Sequence, residues 1–236
     1  MDSKNPFKWR HYKSEIILLN VRWYLQYPLS YRNLEEMMLE RGLKVDHSTI
    51  GRWVLAYAPE IEKRTRRYLK PTNDSWKVDE TYIKVKGEWK YLDRAIDSEG
   101  NTLDFMLSAS RNAEAAYRFF KKVLKSRRNQ QPRVINTDKD QAYPLAIKEL
   151  KQEKVLNKRS KLRRVKYLNN RIEQDHRGVK KITNAGLGYQ SFHTAWRTIR
   201  GIETMHMVRK GQIKNVSKGD SVSQKEFIES LFEIVG

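Results

Sequence analysis

The stretch WKVDETYIKVKGEWKYLDRAID, residues 76–97, gives the clearest sequence signal for a β-sheet in this chain. Two runs rich in β-branched and aromatic residues flank the turn-like sequence KGE, and this pattern predicts a β-hairpin. TLDFMLSAS (102–110) is predicted as a third strand and PRVIN (132–136) as a short buried strand. Helical periodicity marks residues 112–128, residues 142–153 and most of the chain from about residue 169 onward. This order of elements predicts an α/β sheet domain.

Residues 14–57, ahead of the hairpin, read as three helices. Two short helices joined by GLKVD (42–46) follow a longer first helix, and these are the proportions of a helix-turn-helix. The last helix, in DHSTIGRWVLAYAPE (46–60), would then enter the major groove of DNA by its N-terminal end. Its exposed residues there, able to reach base edges or phosphates, are His47, Ser48, Thr49 and Arg52. The alternative is a plain three-helix bundle whose polar face meets water.

The charge of the chain points to a polyanionic partner. Its 236 residues include 48 basic and 28 acidic side chains, a formal net charge of +20. Such a chain is typical of a nucleic-acid binder held largely by phosphate contacts. A solvated basic surface or affinity for anionic lipid is the alternative interpretation.

Composition also excludes several classes of protein. The chain has no cysteine, which excludes disulfides, thiolate zinc sites and cysteine nucleophiles. The chain contains no run of about 18 apolar residues, so the sequence predicts no transmembrane helix. MDSKNPFKWRHYKSE (1–15) has no hydrophobic segment of the kind that a secretory signal carries. These features together predict a cytoplasmic protein without a membrane partner.

Glu173 lies where a carboxylate is least expected. Residues 151–181 hold 12 basic and 3 acidic side chains, and a carboxylate there repels the phosphates that its neighbours attract. A bound cation would resolve this conflict. Asp79 within the first strand, Asp138 directly after the short strand and Glu173 early in a helix would meet at one edge of a sheet. Their oxygen ligands suit Mg²⁺ or Mn²⁺, and two ions about 3.5–4 Å apart can promote phosphodiester chemistry.

Spacing alone does not select these three acids among the 28 in the chain. Asp97 in AIDSEG fits a turn, Asp104 sits in a strand, and Asp140 competes with Asp138 from a less constrained position. His176 has three interpretations: a proton shuttle, a phosphate contact or an ordinary surface histidine.

Three blocks resemble the catalytic blocks of one family: VDETYIKVKGEWKYLDRAIDSEGNTLDF (78–105), INTDKDQAY (135–143) and NNRIEQDHRGVKK (169–181). The family is the DDE-class transposases of bacterial insertion sequences, the IS-six family. YAPEIEKR, DHSTIGRWV and TIRGIETMHMVRKGQ resemble it as well, so the match runs from about Asn5 to Gln212. Asp138 and Glu173 enclose 34 residues, which is the separation that this family uses.

The resemblance implies a ribonuclease-H-like, retroviral-integrase-like catalytic core preceded by an all-α helix-turn-helix domain. It assigns the metal-binding and catalytic acids to Asp79, Asp138 and Glu173, and a DNA contact to Lys180. Arg171, Arg177 and Lys181 would hold the DNA backbone beside it. The domains expected are residues 1–58 (helix-turn-helix), 59–74 (linker), 75–212 (core) and 213–236 (a tail, expected to be helical).

The function expected is metal-dependent cleavage of double-stranded DNA at the terminal inverted repeats, followed by transfer of a 3′-OH into target DNA. The resemblance also implies replicative, cointegrate-forming transposition and a homodimer or larger synaptic complex. Two alternatives are a helix-turn-helix regulator without catalysis and a metal-dependent nuclease without strand transfer.

Overall fold

A computed structural model describes residues 6–7, 11–138, 141–186 and 188–234, apart from the side chain of residue 166. The chain divides into two compact units. One comprises Lys70–Lys180, and the other comprises Met1–Leu69 together with Lys181–Gly236. The first holds the sheet and the second is helical.

The predicted hairpin forms the centre of the sheet. Strands β1 (Ser75–Val85) and β2 (Glu88–Asp97) pair antiparallel along their whole length. The turn between them places Lys86 and Gly87 at φ of 51° and 80°. Two consecutive residues with positive φ form the tight turn whose twist matches that of the flanking strands. The hairpin prediction is therefore confirmed.

The complete sheet has five strands in the order β3-β2-β1-β4-β5. Strand β3 (Thr102–Ser108) pairs antiparallel with β2, whereas β4 (Val134–Thr137) pairs in parallel with β1. The remaining strand, β5 (Lys161–Arg164), pairs in parallel with β4 and was not predicted. KLRR contains a single apolar residue, so it lacks the alternation that marks a half-buried strand. This mixed α/β unit fits the expected ribonuclease-H-like core.

Helices α4 (Ala113–Lys125) and α5 (Ala142–Gln152) cover one face of the sheet. The side chain of Asn112 caps α4 by accepting from the backbone N–H of Ala115 at 2.9 Å. The shared core is fully or nearly fully buried and draws on strands and helices alike: Trp76, Val78, Ala95, Leu103, Ala116, Phe119, Phe120, Val123, Ile135, Tyr143, Ala146, Ile147 and Leu150.

Helix α6 (Asn170–Ala185) follows a short 3-10 turn at Lys166–Asn169. Its residues up to Lys180 belong to the sheet unit, and the remainder belongs to the helical unit.

The helical unit begins with α1 (Ser14–Gln26), α2 (Tyr31–Leu39) and α3 (His47–Thr65). Ser30 and Asn33 form a reciprocal capping box at the start of α2. Asp46 caps α3, since its carboxylate accepts from the backbone N–H of Ser48 at 2.8 Å. The three predicted helices are therefore present. Their assignment as a helix-turn-helix stays a prediction.

Helices α7 (Phe192–Arg209) and α8 (Ser221–Ser230) complete this unit, and α8 lies within the tail 213–236. The residues after α8 return to α3. The guanidinium of Arg64 donates to the carbonyl of Leu231 at 2.8 Å and lies 4.8 Å from the ring centre of Phe232. That ring also packs with Phe7 and Tyr57. The tail thus contributes to the core of the helical unit.

Helix α3 continues through Pro59, where a linker was expected to begin. Proline has no N–H, so the carbonyl of Leu55, four residues earlier, loses its helical partner. Nε of Arg197 in α7 donates to this carbonyl at 2.8 Å and replaces the missing bond. The first seven residues of the expected linker 59–74 are therefore helical.

The compact units divide the chain elsewhere than the expected boundaries at residues 58, 74 and 212. The physical reason is that α7 packs along α3 and α1, so it joins the helical unit although it follows the sheet in sequence. The functional division into four segments stays a prediction. In the part of the chain that the structure describes, no helix combines the length and the apolar character needed to cross a membrane.

Gly201 in α7 marks the closest approach within the helical unit. A Cβ atom at this position would lie 2.6 Å from Cβ of Ala58 and 2.7 Å from Cδ1 of Leu25. Both neighbours are completely buried, and Ala58 can move only with the backbone of α3.

We expect Gly201→Ala to lower the free energy of unfolding by about 1–3 kcal/mol, the usual effect of overpacking a core. Helix propensity alone predicts the opposite change, because alanine stabilises a helix by about 1 kcal/mol relative to glycine. A loss of stability would therefore indicate overpacking. Urea denaturation measures the difference. Glu226→Ala, on the exposed face of α8, is the control and should stay within about 0.5 kcal/mol of the parent. Equal stability of Gly201→Ala and the parent would contradict the close packing.

Candidate active site

Asp79 and Asp138 lie on neighbouring parallel strands. In the register of β1 and β4, Lys77 is opposite Asn136. Asp79 is two residues beyond Lys77 on β1, and Asp138 is two residues beyond Asn136, directly after β4. Both carboxylates are half-buried. Asp140, the competing acid, lies outside the described residues.

Tyr143 reports the negative charge around these two acids. Its side chain is buried, and burial raises the pKa of its hydroxyl well above the ordinary value. The carboxylates of Asp93, Asp79 and Asp138 are among the groups that raise this pKa further. The hydroxyl lies 3.4 Å from Oδ1 of Asp93. The buried phenol therefore lies beside the carboxylate of Asp93.

Glu173 belongs to α6, and the segment before this helix is tied to β1. Nζ of Lys77 donates to the carbonyl of Leu168 at 2.7 Å, and Nδ2 of Asn169 donates to the carbonyl of Val78 at 3.3 Å. The pKa of Lys77 is lowered, chiefly because the amine is partly buried and to a smaller extent because of the charge of Arg171. These bonds hold the start of α6 next to the strand that carries Asp79. Glu173 itself is exposed, on the first turn of the helix.

His176 connects α6 directly to Asp79. Its Nε2 lies 3.1 Å from Oδ2 of Asp79, and its Nδ1 lies 3.2 Å from Nη1 of Arg94. Arg94 is completely buried and also donates to Oδ2 of Asp175 at 2.7 Å. His176 is only 6% exposed, so the interpretation as an ordinary surface histidine is wrong. Arg94 and Asp175 were not predicted, because the sequence signals them only by a charge within an apolar or a helical run.

Two other acids have structural partners. The carboxylate of Asp97 accepts from the backbone N–H groups of Glu99 and Asn101, at 2.9 and 2.8 Å, and so closes the turn before β3. This confirms the turn interpretation. Asp104 forms an ion pair with Lys122 of α4 at 2.9 Å.

The donor set at this edge of the sheet fits Mg²⁺ or Mn²⁺ by its chemistry. Asp79, Asp138 and Glu173 offer only carboxylate oxygens, the hard ligands that these ions prefer. The buried amide oxygens of Asn136 and Asn169 have no hydrogen-bond partner within the described part of the chain. The three carboxylates do not form a compact set, however. Among the described residues, the set of three whose ligand atoms all lie within 4.8 Å of one another is Glu35, Asp46 and His47.

That compact set belongs to the helical unit and has a simpler explanation. Asp46 is the cap of α3, and Nδ1 of His47 lies 3.0 Å from Oε2 of Glu35, as in an ion pair on the surface. These contacts account for the set of Glu35, Asp46 and His47 without a metal ion. The predicted metal site stays with the acids of the sheet unit.

The residues expected to contact DNA from α3 lie on its first two turns. Ser48 and Arg52 are exposed, whereas His47 and Thr49 are half-buried. Nη2 of Arg52 donates to the hydroxyl of Thr49 at 2.8 Å.

The basic residues expected to contact DNA from α6 divide into two groups. Arg177 and Lys181 are exposed and Lys180 is half-buried. At i+4 and i+7 from Glu173, Arg177 and Lys180 share its side of the helix. Arg171 is different, because its guanidinium donates to the carbonyls of Ser98, at 2.7 Å, and of Glu99. Arg171 therefore supports the turn between β2 and β3.

Known proteins are similar to this chain in sequence. Residues 73–212 match the family described as "DDE domain". The transposase for insertion sequence-like element IS431mec of Staphylococcus aureus strain Mu50 is 41% identical over 210 residues, 87% of this chain and 89% of the relative. The transposase for insertion sequence element IS257 in transposon Tn4003, from the same species, is 40% identical over the same shares. An uncharacterized protein of Yersinia pseudotuberculosis is 49% identical over 82 residues, 34% of this chain and 77% of that protein.

The domain match covers more than half of the chain, and it contains every block in which the acids occur. Similarity to the two staphylococcal transposases extends over most of both sequences. The chain therefore belongs to the DDE transposases of the IS-six family.

Proposed function

We propose that this protein binds the terminal inverted repeats of its own insertion sequence and catalyses cleavage and strand transfer there. The observation that carries the proposal is the placement of Asp79 and Asp138 on adjacent parallel strands, with the start of α6 bonded to the same central strand. Membership of a transposase family supports DNA as the substrate. The reaction belongs in the cytoplasm, where bacterial DNA lies.

Asp79, Asp138 and Glu173 would hold the divalent ions, either Mg²⁺ or Mn²⁺. Two such ions, when bound, supply positive charge at the attacking and leaving oxygens of the phosphodiester. The carboxylates fix where that charge stands relative to the sheet. Their role is positioning and electrostatic stabilisation, on which phosphoryl transfer chiefly depends.

The exposed basic residues of α6 would hold the DNA around the reacting bond. Arg177 and Lys180 follow Glu173 on the same side of the helix, and Lys181 is adjacent. Each can contact a phosphate while Glu173 faces the ions instead of the DNA. This arrangement explains a carboxylate within a strongly basic segment.

Two successive displacements at phosphorus complete the reaction. Water first attacks the phosphodiester at each transposon end, and the bond that breaks frees a 3′-OH. That hydroxyl then attacks a phosphodiester of the target, so a new bond joins the element to target DNA as the target strand leaves. Neither step needs a covalent bond between protein and DNA. We also propose, from the family resemblance, a cointegrate product and a dimeric or larger complex.

Replacing Glu173 tests the catalytic part of the proposal. With a labelled pre-cleaved terminal repeat, plasmid target and Mg²⁺ or Mn²⁺, the parent should join the two DNAs. Glu173→Gln should join at least about a hundredfold more slowly, because an amide cannot supply the charge that holds the ions. Binding to the terminal repeat should persist. Glu149→Gln, which removes one exposed carboxylate from α5, should behave like the parent.

Each alternative function has its own outcome in this experiment. Binding without cleavage or joining, in the parent and with either metal, would support a regulator without catalysis. With an uncleaved terminal repeat in place of the pre-cleaved one, ends that are cleaved but never joined to target would support a nuclease.

We further propose that α2 and α3 act as a helix-turn-helix that reads the terminal repeat. Arg52 is exposed two turns into α3, and its hydrogen-bond partner is the Thr49 hydroxyl, which a base edge or phosphate can replace. Arg52→Ala should weaken binding to the terminal repeat about tenfold, since a base contact contributes roughly 1–3 kcal/mol.

Electrophoretic mobility shift with the terminal repeat and with unrelated DNA measures this effect. Lys218→Ala removes an exposed cation elsewhere in the helical unit and serves as the control. An equal loss on both DNAs would mean that Arg52 contacts the backbone only. No loss on either would contradict the placement of α3 in the groove.

A further inference from the structure

We propose that His176 is a positioning residue that orients the Asp79 carboxylate for metal binding, and that buried Arg94 fixes His176 in the form required. The inference rests on the proposed function, because it takes Asp79 to be a metal ligand. It concerns residues that lie together in the sheet unit.

The position of Arg94 follows from strand pairing. Arg94 on β2 is directly opposite Asp79 on β1, so both side chains lie on the same face of the sheet. Residues Trp76 and Val78 lie with α4 and α5 on the opposite face. Arg94 is completely buried, and its guanidinium contacts Asp175 and His176 of α6.

Arg94 determines which nitrogen of His176 carries the proton. A guanidinium has only N–H donors, so Nδ1 of His176, 3.2 Å from Nη1, must accept with its lone pair. The proton of the neutral ring then resides on Nε2. That nitrogen lies 3.1 Å from Oδ2 of Asp79 and donates to it.

This hydrogen bond determines how Asp79 can bind a cation. With Oδ2 engaged by Nε2, the carboxylate cannot rotate freely, and Oδ1 remains available for a metal ion. The N–H at Nε2 thus orients the carboxylate through one hydrogen bond. The guanidinium of Arg94 contacts Nδ1, the other nitrogen of the His176 ring. The carboxylate of Asp175, 2.7 Å from this guanidinium, compensates its charge. Partners of this kind typically tune metal affinity or activity by about 10–100-fold.

Stability alone is a weak reason for such a network. The side chains of Arg94 and Asp175 are 0% and 11% exposed, so both charges have lost most of their hydration. Apolar residues of similar volume often stabilise a fold as well as a buried ion pair does. The network differs from a plain ion pair in one respect: it ends on a carboxylate of the predicted metal site.

Two substitutions of His176 separate positioning from packing. His176→Phe keeps the ring but has no N–H, whereas the amide of His176→Gln can present an N–H where Nε2 lies. The protein is bound to a terminal repeat with a 3′-dideoxy end, which cannot be joined, and Mn²⁺ is titrated while electron paramagnetic resonance reports free Mn²⁺. The Asp79→Asn variant measures the background, which is the Mn²⁺ that binds to the DNA and to other sites on the protein.

His176→Phe should bind Mn²⁺ at least about tenfold more weakly than the parent, and His176→Gln should stay within about threefold. In strand transfer on a normal end, His176→Phe should lower kcat and leave KM for DNA unchanged. If His176→Phe does not fold, as judged by thermal unfolding, His176→Asn replaces it. The shorter amide can accept from Arg94 but cannot reach Asp79, so it too should lose Mn²⁺ affinity relative to His176→Gln.

The outcomes separate this inference from the proposed function. Folded His176→Phe with the parent's Mn²⁺ affinity would overturn the positioning role while leaving strand transfer by the parent intact. Weaker Mn²⁺ binding by His176→Phe in a protein that never joins ends would uphold the positioning role and overturn the transposase reaction. A parent that binds no more Mn²⁺ than Asp79→Asn would overturn the positioning role, because no metal site would then depend on Asp79.

Discussion

A carboxylate in the interior of a central strand must have polar partners, and in this protein those partners connect three elements. Asp79 lies on β1 in the middle of the sheet, and its side chain is 15% exposed. Its hydrogen-bond partner, His176, belongs to α6, and Arg94 of β2 contacts the same histidine. An unpaired buried carboxylate is costly, so the position of α6 over this face of the sheet is linked to the charge of Asp79. The helix that carries Glu173 is thereby held beside the strand that carries Asp79.

The basic segment 151–181 illustrates how the fold divides one stretch of charge among different tasks. Part of it forms β5 at the edge of the sheet, where lysine and arginine also discourage pairing with another chain. Arg171 supports a turn through two carbonyl groups. Arg177 and Lys181, further along α6 than Glu173, are exposed, and Lys180 between them is half-buried. The net charge therefore indicates the kind of partner. The fold determines which basic side chains are exposed and able to contact that partner.

The elements that the sequence predicts well are those with local signals. The hairpin and β4 follow from residue type and turn chemistry. What escaped prediction depends on distant partners. Helix α3 passes Pro59 because Arg197, far along the chain, bonds the carbonyl that proline leaves unpaired. The burial of His176 depends likewise on Arg94 of another element. The acids themselves were found through family resemblance, because spacing alone could not choose among 28 of them.

Hydrolysis of a DNA strand and its transfer to a target are the same displacement at phosphorus with different attacking oxygens. The oxygen comes from water in the first case and from a 3′-OH in the second, so one set of carboxylates can serve both. Selectivity for the second step must then arise from the groups that place the 3′-OH and the target phosphate in line, since positioning dominates such reactions. We propose that on this chain those groups are the cations of α6 that follow Glu173 and, for recognition of the ends, the first turns of α3. The distinction between a nuclease and a transposase therefore lies in how DNA is held, and the carboxylates set only where it reacts.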